Sequence, residues 1–300
     1  MMKSSIDVVD VFSSVPGKGN PVAVVYGCFS RPVEWQQSFA RWVGLPETVF
    51  VDGDETPGAI FTVRIFSPLM ELPFAGHPAI GAVRSFLSRG LVNPCTGEIV
   101  LRCKAGDVAM EVEQGVSGET ISFTTLKPAT VDPISNVSGE IARAVGGGAQ
   151  PLSVSVADTG ARWLVAIYAS AGDLASMKPD IARIESISRR FDVSGISVVA
   201  PSNLADAAFE VRSFAPLIGV NEDAVCGGGN ACVAAAISAS REFAPYSARY
   251  VAAQGAYLKR DGRIFSDGPL PSRRYKIGGQ AAVVISGDLH APLHLPGDGG

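Results

Sequence analysis

The reading of the chain turns on Val211–Ala236, VRSFAPLIGVNEDAVCGGGNACVAAA. An alternating, β-rich run from Phe209 to Phe214 gives way to a turn around Pro216 and Gly219. Glu222 and Asp223 follow, then Cys226, three consecutive glycines, and small apolar helix formers from Ala231 to Ala239. That order predicts a strand, a loop, a glycine-rich turn and the start of a buried helix. Glycines at such a turn let the backbone adopt positive φ and approach a ligand closely. The first N–H groups of the next helix have no internal partner, so its mouth favours negative charge. A thiol there is drawn toward thiolate, with a pKa that can fall to roughly 3.5–7.5. An anion-binding, acid–base site is one reading of Cys226, Gly227 and Gly228. A small core thiol beside a loose turn is the other.

The same pattern occurs earlier in the chain. Val63-Arg64-Ile65-Phe66-Ser67-Pro68-Leu69 matches Val211-Arg212-Ser213-Phe214-Ala215-Pro216-Leu217 at V, R, F, P and L, 148 positions apart in a chain of 300. Ala75-Gly76 then lines up with Cys226-Gly227, and each pair precedes a helix of small residues. A duplicated unit is expected, each copy carrying a strand, a Pro-containing loop and a helix entered through glycine. Arg64 should superpose on Arg212, and the helix Pro78–Arg89 on the helix starting near Asn230. Two such helix mouths facing each other would clamp one small anionic substrate between two domains.

Two further residues are candidates for the chemistry. His77 stands where Pro78 opens a helix, and could bond a bound carboxylate or move a proton near neutral pH. A helix-mouth histidine packed beside Phe74 and bonded to backbone is the competing reading. Glu47 stands at the entrance to the strand Thr48–Val51. Apolar neighbours Val49 and Phe50 would desolvate its carboxyl and raise its pKa toward the range of general acid–base work, whereas an ordinary solvated loop glutamate fits the same residues.

Composition narrows the class. The chain is 47% hydrophobic and 18% charged, with a net charge of −4 and no cluster of Lys and Arg; it suits a soluble globular protein and no nucleic-acid surface. No apolar run is long enough to span a membrane, and the N-terminus lacks a signal-peptide pattern. Five scattered cysteines do not make a disulfide framework, so a cytoplasmic location with reduced thiols is expected. A dinucleotide fingerprint fails where Cys232 replaces the third glycine, no Walker A pattern occurs, and Cys226, Cys232 and one histidine make a poor zinc set. No cofactor and no metal are expected. A cysteine hydrolase using Cys226 and His77 lacks an orienting Asn or Asp.

The remaining patterns predict strands at Asp7–Phe12, Val22–Tyr26, Ile60–Phe66, Glu98–Arg102, Asp107–Glu113, Thr120–Thr125, Ser153–Val156, Trp163–Ala169, Ser197–Val199, Arg249–Ala253, Ala256–Lys259 and Arg263–Phe265. Helical spacing covers Pro32–Val43, Ile141–Val145 and Leu174–Phe191. Lys127–Pro133 reads as a linker, and Arg274–Ile277 with Ala281–Ile285 as a closing hairpin.

ETVFV at Glu47–Val51, GNPVAVV at Gly19–Val25, RIFSPLMELPFAGHPAIGA at Arg64–Ala82, DTG at Asp158–Gly160, GVNEDAV at Gly219–Val225 and KIGGQAAVVISGDL at Lys276–Leu289 together resemble the phenazine-biosynthesis (PhzF-like) isomerase family. The resemblance implies an α+β, diaminopimelate-epimerase-like fold of two pseudo-symmetric domains, each a mostly antiparallel sheet wrapped around a central helix. It divides the chain into residues 1–127 and 128–300, with the closing hairpin near 274–289 packing across to the first domain. The chemistry it implies is a cofactor-independent movement of a proton on a small carboxylate. Glu47 matches the family's catalytic glutamate, and His77 and Asp223 match residues that line its site. With Cys226 taken as a second acid–base partner opposite Glu47, Glu47, Asp223 and Cys226 would be catalytic, and Asn20, Gly76, His77, Gly227 and Gly228 would bind substrate. Where the family reads DPATGSA, this chain reads Asp223-Ala224-Val225-Cys226-Gly227-Gly228-Gly229; Cys226 replaces a threonine and Gly228 a serine that helps hold substrate. Cys226 also resembles the second cysteine of the diaminopimelate epimerases and proline racemases, whose first cysteine is Ala75 here. A racemase-like enzyme using Cys226 and a non-catalytic small-acid-binding module are the alternatives. The expected partners are a small anionic substrate and a second copy of the chain in a homodimer, with no nucleic acid and no membrane.

Overall fold

The computed structural model of the protein describes residues 4–52, 60–93, 99–115, 118–243 and 248–290. Cys95, His294 and the predicted strand start at Glu98 lie outside them. The first half runs β1 (Ser5–Val11), β2 (Asn20–Tyr26), α1 (Val33–Val43), β3 (Glu47–Val51), β4 (Ile60–Phe66), β5 (Glu71–Leu72), α2 (Gly76–Ser88), β6 (Ile99–Cys103), β7 (Gly106–Gly115) and β8 (Gly118–Thr124). The second runs β9 (Thr130–Pro133), α3 (Ser138–Val145), β10 (Ser153–Asp158), β11 (Arg162–Ile167), α4 (Ala171–Ser176), α5 (Ile181–Phe191), β12 (Ile196–Pro201), β13 (Phe209–Ala215), β14 (Val220–Asp223), α6 (Gly227–Ala239), β15 (Arg249–Gln254), β16 (Gly262–Asp267), β17 (Lys276–Gly279) and β18 (Ala281–Asp288). Among the described residues no helix is long and apolar enough to cross a membrane.

Strand pairing repeats between the halves. β1–β2, β3–β4, β4–β5 and β6–β7 are antiparallel and β2–β3 and β4–β6 parallel. β10–β11, β12–β13, β13–β14 and β15–β16 repeat the former set, and β11–β12 and β13–β15 the latter. Register repeats as well: Thr48 faces Phe66 as Ile196 faces Phe214. Arg64 forks onto Glu71 at 2.9 and 3.1 Å, and Arg212 onto Glu222 at 2.8 and 3.0 Å. Each half wraps its sheet around one central helix, nearly all apolar in α6 and apolar on its inner face in α2, where Arg84 and Ser88 sit on the outer side. Ala79, Ile80, Ala82, Val83 and Phe86 of α2 are fully buried, as are Cys232, Val233, Ala234 and Ile237 of α6, which is how an apolar helix face must sit in water.

Four local expectations change. Lys127–Pro133 is not only a linker, because Thr130–Pro133 pairs with β10 as an edge strand. The helical pattern of 174–191 is two helices: Pro179 lacks the N–H that would continue the first, and the Asp180 carboxylate caps the second by accepting from Arg183 N at 3.1 Å. Ala256–Leu258 is a 3-10 turn rather than a strand. The closing segment is no hairpin, since β17 pairs with β16 and β8 whereas β18 pairs with β1. Side chains would be crushed at this crossing: a Cβ on Gly278 would stand 2.4 Å from the Phe265 ring, and one on Gly279 2.7 Å from the Phe12 ring. β9 and β18 thus take equivalent edge places, β9 beside β10 and β18 beside β1.

Candidate active site

Glu47 opens β3, whose parallel pairing with β2 sets it opposite Val22. The solvated-loop reading does not hold, because the residue is only 7% exposed. His77 is the second residue of α2 and is 4% exposed. Its Nε2 faces Glu47 Oε2 at 3.1 Å, and neither atom makes a well-directed hydrogen bond to a described residue. The ring's other nitrogen donates to the Pro21 carbonyl, so Nε2 is the unprotonated acceptor of a neutral imidazole. Burial drives the imidazole down to about 3. Burial, with the nearby Asp223 charge, drives the Glu47 carboxyl well above the usual carboxylate range. Both shifts favour uncharged forms, as desolvation requires.

Asp223 ends β14 and reaches the first half through Asn20, whose Nδ2 donates to Asp223 Oδ1 at 2.7 Å and to the Val225 carbonyl at 3.0 Å. Val225 N donates to the same carboxylate oxygen at 3.2 Å. Burial still raises the Asp223 pKa, against the pull of hydrogen bonds from Cys226, Val225 and Asn20. Cys226 caps α6, its sulfur accepting from Gly229 N at 3.3 Å. The expected drift toward thiolate is reversed. Burial and the carboxylates of Asp223 and Glu47 push the thiol well above its ordinary value, outweighing the helix amide, so the S–H stays protonated and donates to Asp223.

The two helix mouths meet. A Cβ on Gly227 would lie 3.5 Å from His77 N, 3.7 Å from Gly76 Cα and 3.5 Å from the Phe12 ring. The glycines differ in why they are glycine. A Cβ on Gly76 would be 2.5 Å from Phe123 and one on Gly229 2.7 Å from Ser197 Oγ, whereas one on Gly228 meets only ordinary contacts. The duplication stops at the chemistry. By strand register the counterpart of Glu47 is Gly195, where a Cβ would be 2.1 Å from the Phe214 carbonyl. The helix position of His77 is occupied by Gly228. One half therefore carries a buried Glu–His pair that the other cannot.

Sequence reasoning passed over Gln254 and Asn230. Gln254 Oε1 accepts from Cys226 N at 3.2 Å and from Asn230 Nδ2 at 2.7 Å, while its Nε2 donates to the Asp223 carbonyl at 3.0 Å. Together they fix the loop from Asp223 to Cys226. The available signal was a lone amide, Asn230, at the head of an otherwise apolar helix. Among the described residues no three His, Cys, Asp or Glu side chains gather as ligands for a metal.

Comparison with known proteins identifies the family. The family model described as phenazine biosynthesis-like protein, PhzC-PhzF, matches residues 9–287. The chain is 32% identical over 298 residues to antisense-enhancing sequence 1 of Schizosaccharomyces pombe, covering 96% of this chain and 99% of the relative. It is 27% identical over 286 residues to the trans-2,3-dihydro-3-hydroxyanthranilate isomerase of Pseudomonas aeruginosa, covering 94% of each. The crystal structure of a Bacillus anthracis phenazine biosynthesis protein of the PhzF family superposes with a TM-score of 0.84 at 21% identity, over 97% of this chain and 100% of that one. The chain belongs to the phenazine biosynthesis-like, PhzC-PhzF protein family.

Proposed function

We propose that the protein is a cofactor-independent isomerase that moves a proton between carbons of a small carboxylate held where the two halves meet, with Glu47 as the proton carrier. The observation that carries this reading is the buried Glu47–His77 pair at 3.1 Å, set at the junction of two helix N-termini. A carboxyl whose pKa burial has raised is a stronger base once ionised, and suits proton transfer near neutral pH. Its ionised form takes a proton from one carbon and, as the acid, returns it to another. His77 is too weakly basic to compete for that proton and acts as an orienting acceptor. The amides at the mouths of α2 and α6 supply donors for the substrate's carboxylate. The isomerase name of the Pseudomonas aeruginosa relative supports the reaction class, and a six-membered-ring carboxylate is the first substrate class to try.

A second reading is favoured by one feature. Cys226 donates to Asp223 at the mouth of α6 while Glu47 faces His77 at the mouth of α2; a racemase would require this thiol and this carboxyl to address one bound carbon from opposite sides. Glu47→Gln tests the first reading. It keeps size and hydrogen bonding but removes the base, and turnover should fall by about 10²–10⁴ with binding retained. Undiminished turnover would return Glu47 to a structural role.

A further inference from the structure

The space above Gly228 is walled by an indole. Were Gly228 to carry a Cβ, its nearest neighbour would be Trp163 Nε1 at 3.6 Å, followed by Ala161 Cβ at 3.9 Å. Trp163 is 3% exposed, and its ring is held from behind at Gly195, where any Cβ would stand 2.9 Å from ring carbon Cζ3. Register makes Trp163 the counterpart of Val22 in the first half. Beside the place where one half has its acid–base carboxyl, the other therefore has a ring whose single polar atom is a donor. A buried indole N–H normally finds an acceptor. Among the described residues none accepts from this one, and it faces the first turn of α6, where the N–H groups of Gly227 and Gly228 are also without helical partners.

We propose that Trp163 is a substrate-binding residue: its Nε1–H and the Gly227 and Gly228 amides bind the carboxylate of a ring acid. This rests on the reading of the α6 mouth as the carboxylate site. In this chain the donor is delivered across the helix mouth from β11, and glycine at 228 keeps a side chain out of the place beside the indole nitrogen.

The test uses the intact chain with Trp35→Phe and Trp42→Phe, which leaves Trp163 as the sole indole. Benzoate, and not neutral benzamide, should change Trp163 emission. Adding Trp163→Phe should weaken benzoate binding in calorimetry roughly tenfold, the size of a hydrogen bond to a charged group, and leave benzamide unaffected. Gly228→Ser placed in that Trp163→Phe protein should recover most of the loss, since the serine hydroxyl replaces the missing donor; a merely structural role for the ring predicts no such recovery. Benzoate binding that leaves Trp163 emission unchanged, benzoate that fails to bind, or a Trp163→Phe protein that binds it as tightly as its parent would overturn the proposal. Failure of the isomerase reading is separate: it shows as full turnover in Glu47→Gln, whatever Trp163 does.

Discussion

Glu47 folds at a cost set by its burial. Its carboxyl is nearly water-free and beside the Asp223 charge, so its folded pKa lies well above the 4.5 of an exposed glutamate. In the unfolded chain it ionises near that ordinary value, and folding at higher pH must take up a proton. Stability from this group is therefore full below the unfolded pKa and declines as pH rises toward the raised folded pKa. Glu47→Gln removes the titration. The variant should melt above the parent by a margin that widens from pH 5 to pH 8 in paired thermal scans. A margin constant with pH would mean that Glu47 is charged in the folded protein. His77, held down at about 3, does not titrate across that window. At the same scale burial tips the balance between two influences, the helix mouth lowering the pKa and Asp223 raising it, toward the neutral thiol of Cys226. Its place at a helix mouth was legible, but the charge on it depends on Asp223 and Glu47, which arrive from 3 and 179 residues away and which only the folded chain brings near it.

At the scale of the element, the run Gly227-Gly228-Gly229 separates what the sequence displays from what it hides. Three identical letters stand for three surroundings: Gly227 abuts the mouth of α2, Gly228 stands at ordinary contact distance from the Trp163 indole, and Gly229 is pressed against the Ser197 and Ser213 hydroxyls, which share a 3.0 Å hydrogen bond. Gly229→Ala should destabilise the protein by about 1–3 kcal/mol through overpacking, while Gly228→Ala should change stability little, both read by denaturant titration. Equal effects would mean that the helix start is looser than described. Strands and the two central helices were legible because their apolar patterns are unbroken, and the VRxFxPL repeat disclosed the duplication directly. The split of 174–191 was missed because apolar spacing continues across Pro179. The closing hairpin was misread because pairing partners are set by the crossing between halves, which local alternation does not encode.

For the whole molecule, duplication supplies two matching scaffolds and divergence gives them different work. The first half contributes Glu47 and His77, the second Asp223, Cys226 and Trp163, and Asn20 ties one set to the other. Proton movement by Glu47 at that meeting place is the central claim. It is tested most directly by following deuterium from solvent into carbon positions of a six-membered-ring carboxylate that the parent turns over, by NMR, with the parent, Glu47→Gln and Cys226→Ser proteins side by side. The account predicts carbon-bound deuterium with the parent, continued incorporation in Cys226→Ser, and loss of about 10²–10⁴ in rate in Glu47→Gln. Incorporation by Glu47→Gln at the parent rate would contradict it.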